Sequence, residues 1–472
     1  MLTIVGLLTI ATVVLLLVTG RVTPIAAFSL PALGAALFLG HGASDLAGFF
    51  ESGIGQVVNI AVMFVFAILM FGTLADLGLF DPLVRVILRV TGGNIVAICV
   101  GTVILAVICQ LDGAGPTTLL VTIAALLPTY RRLGMSPLLL LSLTTLSIGL
   151  MNLTPWGGPL ARASAVTGID VAELWRPLIP LQLIGVVLLI GIAVVLGMRE
   201  RRRIGTRVPE PALVGGGPPS GTDDSAGDGA DGERPDGTGA DTEARDDDTP
   251  AVDPTAGRPD PSMLRGTHTF RMWFNLAVAL GTMGLLVTGT LPPGYAFLLG
   301  ASVVLVVNFR SRDDQMAQMR RHAPNGLTLA AIILAAGTFL GVMSETGMLE
   351  SVALDLIAVL PQWLVENLHI LFGFLSVPLD FVLSVDAYWF ALFPVVLEVT
   401  GTTDISTTTI LYSMLIGNTI SSILGPLNPV IWLALSLVRA EFAAYVRYVF
   451  PWMWGFSLAL FGAAILLGLV QI

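Results

Sequence analysis

Long apolar runs follow one another along most of the chain, and short polar or Gly/Pro-rich stretches separate them. Each run is continuous rather than alternating, which is typical of membrane-crossing helices and not of barrel strands. A helix needs about 20 apolar residues to cross a bilayer. The pattern therefore predicts an all-α polytopic membrane protein, with helical segments at about residues 2–19, 22–40, 56–75, 94–111, 116–129, 136–170, 177–198, 271–289, 292–308, 327–343, 368–384, 387–399, 408–438 and 451–471.

Composition agrees with this class, because 55% of the 472 residues are hydrophobic and only 12% are charged. Soluble domains carry about 25% charged residues. The first run, MLTIVGLLTIATVVLLLVTGR, lacks a basic leader and a small-residue cleavage site, so a retained helix is expected. Cys99 and Cys109 share one apolar run and are expected to be small buried hydrophobes rather than a disulfide or metal pair.

One long polar segment, residues 204–265, divides the chain into membrane halves 1–203 and 266–472. It is rich in Gly, Asp and Pro, and its 14 acids and 5 arginines carry most of the net charge of −10. Such a composition cannot bury enough apolar surface to order itself, so a disordered acidic linker is predicted. The rest of the chain is nearly neutral, and no nucleic-acid binding is expected.

Arginine placement sets the expected orientation, because short cytoplasmic loops are enriched in basic residues. Arginine clusters mark the expected cytoplasmic ends at residues 85–89, 131–132, 199–203, 265–271 and 310–321. Stretches with acids but no Arg mark the expected outer face at residues 41–55 and 344–407. The chain is thus expected in the cytoplasmic membrane, in contact with the lipid bilayer, with the linker 204–265 in the cytoplasm. Asp76, at a helix end, is expected to be solvated.

Two pairs of apolar segments are too short or too interrupted to span comfortably and are predicted to be re-entrant hairpins. The first, residues 94–129, turns at Asp112–Pro116, and the second, residues 368–399, turns at Ser384–Tyr388. Two crossings are predicted to break, at NLTPWGGP (152–159) and at GNTISSILGPLNP (417–429). Non-helical backbone at membrane depth is tolerated only where it is buried in protein or lines a watery cavity. The four interruptions therefore predict one shared site.

The two halves also resemble each other in sequence. FGTLADLGLFD (Phe71–Asp81) matches LGVMSETGMLE (Leu340–Glu350), and DVAELWRPLIP (Asp170–Pro180) matches EFAAYVRYVFP (Glu441–Pro451). The offset between landmark residues is nearly constant, at 269 for Gly78/Gly347, 274 for Asp112/Asp386 and 271 for Arg176/Arg447. Inverted-topology repeats with paired broken helices are typical of secondary transporters.

Asp112 and Asp386 are the foremost candidates for chemistry, because each stands at a predicted hairpin tip. A charge at bilayer depth costs at least about 2.5 kcal/mol and indicates function by default. Either carboxylate would coordinate a cation or carry the coupled proton. The alternative for Asp112 is capping of the half-helix that follows. Of the acids on the hairpin arms, Asp380 is a better intramembrane candidate than Glu398.

Arg162 falls just after the first break. Its guanidinium fork suits a substrate carboxylate, and the alternative is an internal ion pair with Asp112 or Asp386. The other candidates for substrate or coupling-ion binding are polar or glycine residues at the interruptions: Gly113, Gly115, Thr117, Thr118, Asn152, Thr154, Trp156, Gly157, Gly158, Ser384, Asn418, Thr419, Ser421, Ser422 and Asn428. The sequence has no phosphate-binding glycine loop, His/Cys metal cluster or catalytic triad pattern. Neither an enzyme activity, a cofactor nor a protein-fixed metal is expected.

Several motifs resemble the citrate–metal–proton symporter family, within the wider superfamily of di- and tricarboxylate ion transporters. They are MFVFAILMFGTLADLGLFDPLV (Met63–Val84), LDGAGPTT (Leu111–Thr118), RRLGMSP (Arg131–Pro137), MNLTPWGGPLARA (Met151–Ala163) and SVDAYWFALFP (Ser384–Pro394). The resemblance covers both membrane halves. It implies proton-driven uptake of citrate complexed with a divalent metal ion. It also implies an elevator-type carrier, with helices 1–2 and 271–308 toward the scaffold, and a homodimer.

The chain departs from the family pattern at both hairpin tips. Ala114 stands where the family has a second acid, Pro116 where it has Ser, and Val385 where it has Asn. These differences leave open a carrier of another organic anion, a di- or tricarboxylate, with sodium as the coupling ion. A membrane scaffold or sensor without transport is the alternative of another class. The paired acids, Arg162 and the helix breaks argue against it.

Overall fold

The computed structural model describes residues 1–79, 82, 86–87, 89, 93–113, 115–205, 263–264, 266–401, 403–423, 425 and 428–471. This part of the chain is all helical, and an isolated antiparallel bridge between Leu264 and Phe309 is its single β-interaction. Residues 206–262 of the predicted linker lie outside the described residues, as does Ala114. Six of the described helices are long and apolar enough to cross a membrane.

The helices fall into two series along the chain. The first series is α1 Leu2–Thr19, α2 Pro24–Phe38, α3 Ala43–Asp76, α4 Ile95–Cys109, α5 Gly115–Arg132, α6 Pro137–Met151, α7 Gly158–Thr167, α8 Val171–Trp175 and α9 Leu178–Gly205. The second is α10 His268–Thr288, α11 Pro293–Asn308, α12 Arg312–Glu345, α13 Met348–Val359, α14 Gln362–Glu366, α15 Leu368–Leu379, α16 Val385–Ala387, α17 Phe393–Thr400, α18 Thr407–Ser421, α19 Pro429–Val438 and α20 Phe442–Leu466. A π-helical segment, Tyr388–Leu392, joins α16 to α17.

The helices α3 and α12 each have 34 residues and pack against each other in antiparallel directions. Gly53 of α3 meets Gly337 and Gly341 of α12, and a Cβ on any of the three would collide with the partner helix. Small residues of this kind allow the backbones of membrane helices to approach closely. The two helices form a long antiparallel pair at the core, one from each half of the chain.

Both long helices extend beyond the apolar runs that predicted them. Residues 43–55 and 312–326 lie outside the predicted crossings but are helical. Their polar ends are capped, because Asp45 accepts from the Gly42 N–H at 3.0 Å and Ser311 and Asp314 form a reciprocal capping box. Hydropathy alone detects only the apolar part of such a helix.

The prediction that Asp76 is solvated is wrong. Its Oδ2 accepts a hydrogen bond from Gln318 at 2.7 Å and lies 2.9 Å from His322 Nε2. Arg321 Nε lies 3.3 Å from the same oxygen. The antiparallel partner α12 brings these side chains to the end of α3, so Asp76 fastens the two long helices together.

The helices α1, α2, α10 and α11 lie around this core. Helix α1 packs on α2 and α13, α2 packs on α12, and α11 packs on both α3 and α10. Large apolar side chains on α1 and α10 are exposed, among them Leu8, Leu15, Trp273 and Leu280. Apolar outer faces of this kind suit contact with lipid in a multi-pass membrane protein.

Each half also contains a helical hairpin and a broken helix. In the first half, a 3-10 turn at Gln110–Asp112 and Gly113 join α4 to α5, and Gly113 adopts a φ of 72° that strongly favours glycine. In the second half, α15 and α16 form the corresponding hairpin tip. The described non-helical residues between these helices and within the broken helices are 152–157, 380–384, 422–423, 425 and 428.

The second break is shorter than the predicted range 417–429. Residues 417–421 continue α18, and the hydroxyls of Thr419 and Ser421 are satisfied within it by donating to the carbonyls of Leu415 and Gly417 at 2.6 and 3.1 Å. Asn418 is helical too, and its side-chain amide bonds Asp380 and Trp389 outside the helix. A run of polar residues therefore does not by itself break a helix.

The broken helices of the two halves pack directly on each other. A Cβ on Gly149 of α6 would lie 2.5 Å from the carbonyl oxygen of Ile420 on α18, so this glycine permits the contact. Nearby, Thr145 and Tyr445 share a hydroxyl–hydroxyl hydrogen bond of 2.7 Å. This packing brings the end of α6 beside the end of α18.

Candidate functional site

A cavity of about 260 Å³ lies where both hairpin tips and both helix breaks meet. The first half contributes Gly113, Gly115, Pro116, Asn152, Trp156, Gly158, Pro159 and Arg162. The second half contributes Val385, Ser422, Ile423, Asn428 and Val430, and the long core helices contribute Phe64, Ala67, Ile68 and Leu329. The four interruptions, which the sequence predicts to share one site, thus border one cavity.

The first hairpin tip is fastened to the first helix break. Trp156 Nε1 donates to the Leu111 carbonyl at 2.9 Å, and the Trp156 ring stacks on Phe71 at a centroid distance of 5.3 Å. Gln110 Nε2 donates to Asn152 Oδ1, also at 2.9 Å. A Cβ on Gly113 would lie 2.7 Å from Trp156 Cδ1, so only a glycine fits at this contact.

The first break is in turn fastened to the second. Asn152 Nδ2 donates to Ser422 Oγ at 3.3 Å, and Asn428 Nδ2 donates to the Ser422 carbonyl at 2.8 Å. Asn428 Oδ1 accepts from the Val430 N–H at 3.0 Å and so caps α19. A chain of amide and hydroxyl groups therefore runs from the first hairpin through both breaks.

Arg162 and Asp386 form an ion pair at the edge of the cavity. Arg162 Nε and Nη2 both lie 2.8 Å from Asp386 Oδ1, and the two side chains are 9% and 15% exposed. Of the two expectations for Arg162, the internal ion pair is therefore present. Nη1 of Arg162 lies against Gly158 at the cavity wall, so the guanidinium also borders the cavity.

The cavity has features that favour an anion. Arg162 is the one formally charged side chain among its described lining residues. The helices α5, α7 and α19 begin at its wall, next to Gly115, Gly158 and Asn428. Helix N-termini present free N–H groups and partial positive charge, which attract carboxylates and phosphates. The arrangement can hold a small carboxylate without any metal ligand from the protein.

Asp380 lies behind this wall and is 2% exposed. Asn418 Nδ2 donates to its Oδ1 at 2.5 Å, and Ser421 Oγ donates to its Oδ2. Trp389 Nε1 donates to Asn418 Oδ1 at 2.7 Å, which fixes the orientation of the Asn418 amide. The carboxyl group is thus held by the end of α18, one residue before the cavity-lining Ser422.

Eight of the predicted site residues line the cavity: Gly113, Gly115, Asn152, Trp156, Gly158, Arg162, Ser422 and Asn428. Asp386 forms an ion pair with one of them, Arg162. The others have local structural contacts. Thr154 and Thr419 donate to helical carbonyls, Ser384 caps α16, and Gly157 packs on the Asn152 carbonyl. Thr117 and Thr118 lie within α5, and Asn418 and Ser421 bind Asp380. The side chain of Asp112 lies outside the described residues.

Sequence reasoning misses Gln110, and it names Asp380 as an intramembrane acid but not among the binding residues. Gln110 is buried at the first tip and bonds Asn152, and Asp380 is buried at the second. Each is the residue that ends the first arm of its hairpin. In the sequence, each of the two is a single polar residue inside an apolar run. Many residues with a purely structural role show the same pattern, so the pattern does not single these two out as binding residues.

Hairpins and broken helices that meet at one anion-favouring cavity define a membrane transporter rather than an enzyme. The sequence profile of the family described as citrate transporter matches residues 1–417, and the chain belongs to this family. The family expected from the sequence motifs is thereby confirmed. The protein is a multi-pass protein of the cell membrane.

Relatives in Bacillus subtilis (strain 168) match along the full length of both chains. A "Citrate transporter" is 31% identical over 471 residues, with 100% of each chain covered. A "Mg(2+)/citrate complex secondary transporter" is 30% identical over 473 residues, also with 100% of each covered. Among solved structures, the YdaH transporter of Alcanivorax borkumensis, reported to have an unusual topology, matches with a TM-score of 0.53 and 15% identity, covering 91% of each chain. This last likeness concerns the fold alone.

Proposed function

We propose that this protein is a secondary active transporter that takes up citrate, or a complex of citrate with a divalent metal ion, together with protons. The observation that carries the proposal is the cavity of about 260 Å³ at which three helix N-termini and Arg162 converge. These groups complement the carboxylates of a small organic anion. The citrate and Mg(2+)/citrate carriers among the full-length relatives support this substrate class.

We further propose that the two halves are inverted repeats that move as an elevator. The helix series supports this, since α3 and α12 both have 34 residues and α6 and α18 both have 15. In this proposal the hairpins and broken helices carry the substrate. Helices α1, α2, α10 and α11 belong to the scaffold, which forms a homodimer, and the linker 204–265 is cytoplasmic.

A second substrate remains a candidate because of one feature of the cavity wall. Val385, an apolar residue, lines the cavity at the second hairpin tip, where the family pattern has an amide. An apolar side chain offers no ligand to a metal ion. This favours a metal-free di- or tricarboxylate, with protons or sodium as the coupling ion, as the second candidate.

Uptake of radiolabelled citrate into proteoliposomes tests the first proposal. The expected result is accumulation that requires an inward proton gradient and rises when Mg²⁺ is present. Parallel vesicles with an imposed Na⁺ gradient, and competition by unlabelled di- and tricarboxylates, distinguish the second candidate. Uptake that responds to neither citrate, competitors nor either gradient would overturn transport and leave a scaffold or sensor.

A further inference from the structure

The buried carboxyl group of Asp380 occupies an unusual position among the acids of this protein. Its side chain is enclosed by α18, and the backbone of Gly425, inside the second break, packs on the Asp380 carbonyl. Gly417 allows α18 to approach α15, because a Cβ on Gly417 would collide with Ser376 of α15. The carboxyl group therefore lies beneath the wall of the cavity.

No cation balances Asp380 within the described part of the chain. Arg162, the charged residue of the cavity wall, is paired with Asp386. The Tyr388 hydroxyl donates to the Met414 carbonyl at 3.1 Å and shares a 3.0 Å bond with Ser376, and α18 carries no charged residue. On α20, Arg447 is exposed and bonds the Ala443 carbonyl. A buried, unpaired carboxylate is costly, and a proton removes that cost.

The hydrogen-bond partners of Asp380 fit both its charged and its neutral form. In the charged form, Ser421 Oγ–H and Asn418 Nδ2–H both donate to the carboxylate. In the neutral form, the Asp380 O–H donates to Ser421 Oγ. The Ser421 hydrogen then turns to the Gly417 carbonyl, which lies 3.1 Å from Ser421 Oγ. Neither form leaves a buried polar group unsatisfied.

The donors also disfavour a metal ion at this position. Asn418 turns its N–H toward Asp380, because its Oδ1 is occupied by Trp389 Nε1 at 2.7 Å. A cation requires oxygen ligands, whereas the group facing the carboxylate is an amide donor.

The equivalent junction in the first half shows that a carboxylate is not needed for the architecture. Gln110 also ends the first arm of its hairpin and also bonds the broken helix, through Asn152 at 2.9 Å. A neutral amide thus suffices at that position. The acid at the second junction makes contacts of the same kind, with Asn418 and Ser421, and adds a titratable group to them.

We propose that Asp380 is the binding site for the coupling proton. This rests on the proposed function, since it names the residue that carries the proton in that transport cycle. Protonation rearranges the hydrogen bonds of Ser421, which precedes the cavity-lining Ser422. Proton binding and substrate binding therefore act on the same end of α18, which is how the two are coupled.

The first test compares Asp380→Asn with wild type in proteoliposomes. The amide copies the neutral form, so exchange of internal for external citrate is expected to persist, whereas accumulation driven by a proton gradient is lost. Glu398→Gln, which changes an exposed carboxylate on the same hairpin, is the matched control and is expected to behave as wild type. Proton-driven accumulation by Asp380→Asn at the wild-type level would overturn the proposal. The proposal would also be overturned if the wild-type protein accumulated citrate with a Na⁺ gradient but not with a proton gradient, and if Asp380→Asn lost this Na⁺-driven accumulation.

A second test does not depend on transport or on the stability of the amide variant. Infrared difference spectra of the purified protein, taken between mildly acidic and mildly alkaline pH, are expected to contain a carboxylic-acid band. Ser421→Ala removes a donor to the charged form, so the pH midpoint of this band should rise. If the wild-type protein does not transport citrate but its band disappears in Asp380→Asn, the proposed function is overturned and Asp380 is still a proton-binding group. If the wild-type protein transports citrate with protons but the band is unchanged in both variants, the proposed function stands and Asp380 is not the proton site.

Discussion

Arg162 of the first half and Asp386 of the second meet at 2.8 Å beside the central cavity, although they lie 224 residues apart in sequence. The ion pair holds the second hairpin tip against the first broken helix. Because Arg162 also borders the cavity, the proposed function gives the same guanidinium two roles, packing and ligand charge. Changes at this pair should therefore affect both stability and uptake.

Replacing Arg162 by Ala should strongly reduce citrate uptake. It removes the positive charge at the cavity, and a hydrogen bond between charged groups contributes about 1.5–3 kcal/mol. Loss of that contact with the citrate carboxylate corresponds to roughly 10- to 100-fold weaker binding. The variant also leaves the Asp386 carboxylate unpaired, which lowers the stability of the folded protein. Initial rates of labelled citrate uptake, normalised to protein inserted, provide the measurement.

The double variant Arg162→Leu/Asp386→Asn separates the two roles of the pair. Removing both charges leaves no unpaired ion, so expression and thermal stability should recover toward wild type. Uptake should remain lost, because the ligand charge is absent. Recovery of uptake together with stability would show that Arg162 serves packing alone.

Trp156→Phe should lower uptake several-fold while the protein remains folded. The change keeps an aromatic ring on Phe71 but deletes the hydrogen bond to the Leu111 carbonyl, a loss of about 1 kcal/mol. The first hairpin tip would then be less firmly positioned. Trp454→Phe is the control, since it deletes an indole bond to the Phe374 carbonyl away from the cavity. Equal uptake by the two variants would contradict a positioning role for Trp156.

Gly149→Ala should destabilise the protein by separating the two broken helices. The added Cβ would lie 2.5 Å from the Ile420 carbonyl oxygen, which forces α6 away from α18. Overpacking of this kind typically costs about 1–3 kcal/mol. Gly191→Ala on α9 is the comparison, because nothing lies within 4 Å of its added Cβ. The melting temperature in detergent should fall for Gly149→Ala only.

Asp76→Asn should weaken the contact between α3 and α12. The carboxylate serves Gln318 and His322, and hydrogen bonds to charged groups contribute about 1.5–3 kcal/mol each. We expect a lower melting temperature with little change in the apparent affinity for citrate, since Asp76 is not among the lining residues. Asp355→Asn, at an exposed position on α13, should leave the melting temperature unchanged. A variant as stable as wild type would show that solvent replaces these contacts.

Much of the fold could be predicted from the sequence because lipid exposure leaves a strong pattern. Continuous apolar runs locate the helices, since in a bilayer each backbone must satisfy its own hydrogen bonds. Gly113, Trp156 and Asn428 could be selected because glycine, proline and polar groups rarely occur together inside such runs. The start of the second break could not be located from the sequence. The polar run 417–421 looks like part of the break, but Thr419 and Ser421 bond within their own helix, which continues to Ser421.

The sequence by itself determined the class of this protein and its family, because composition, periodicity and short motifs are local properties. The tertiary structure alone decided which polar groups meet. It paired Arg162 with Asp386, placed Gln110 on Asn152, and buried Asp380 beneath the second break. These contacts join residues far apart in the chain. Their partners are fixed by how helices pack and by the few glycines that let them approach, which no local pattern specifies.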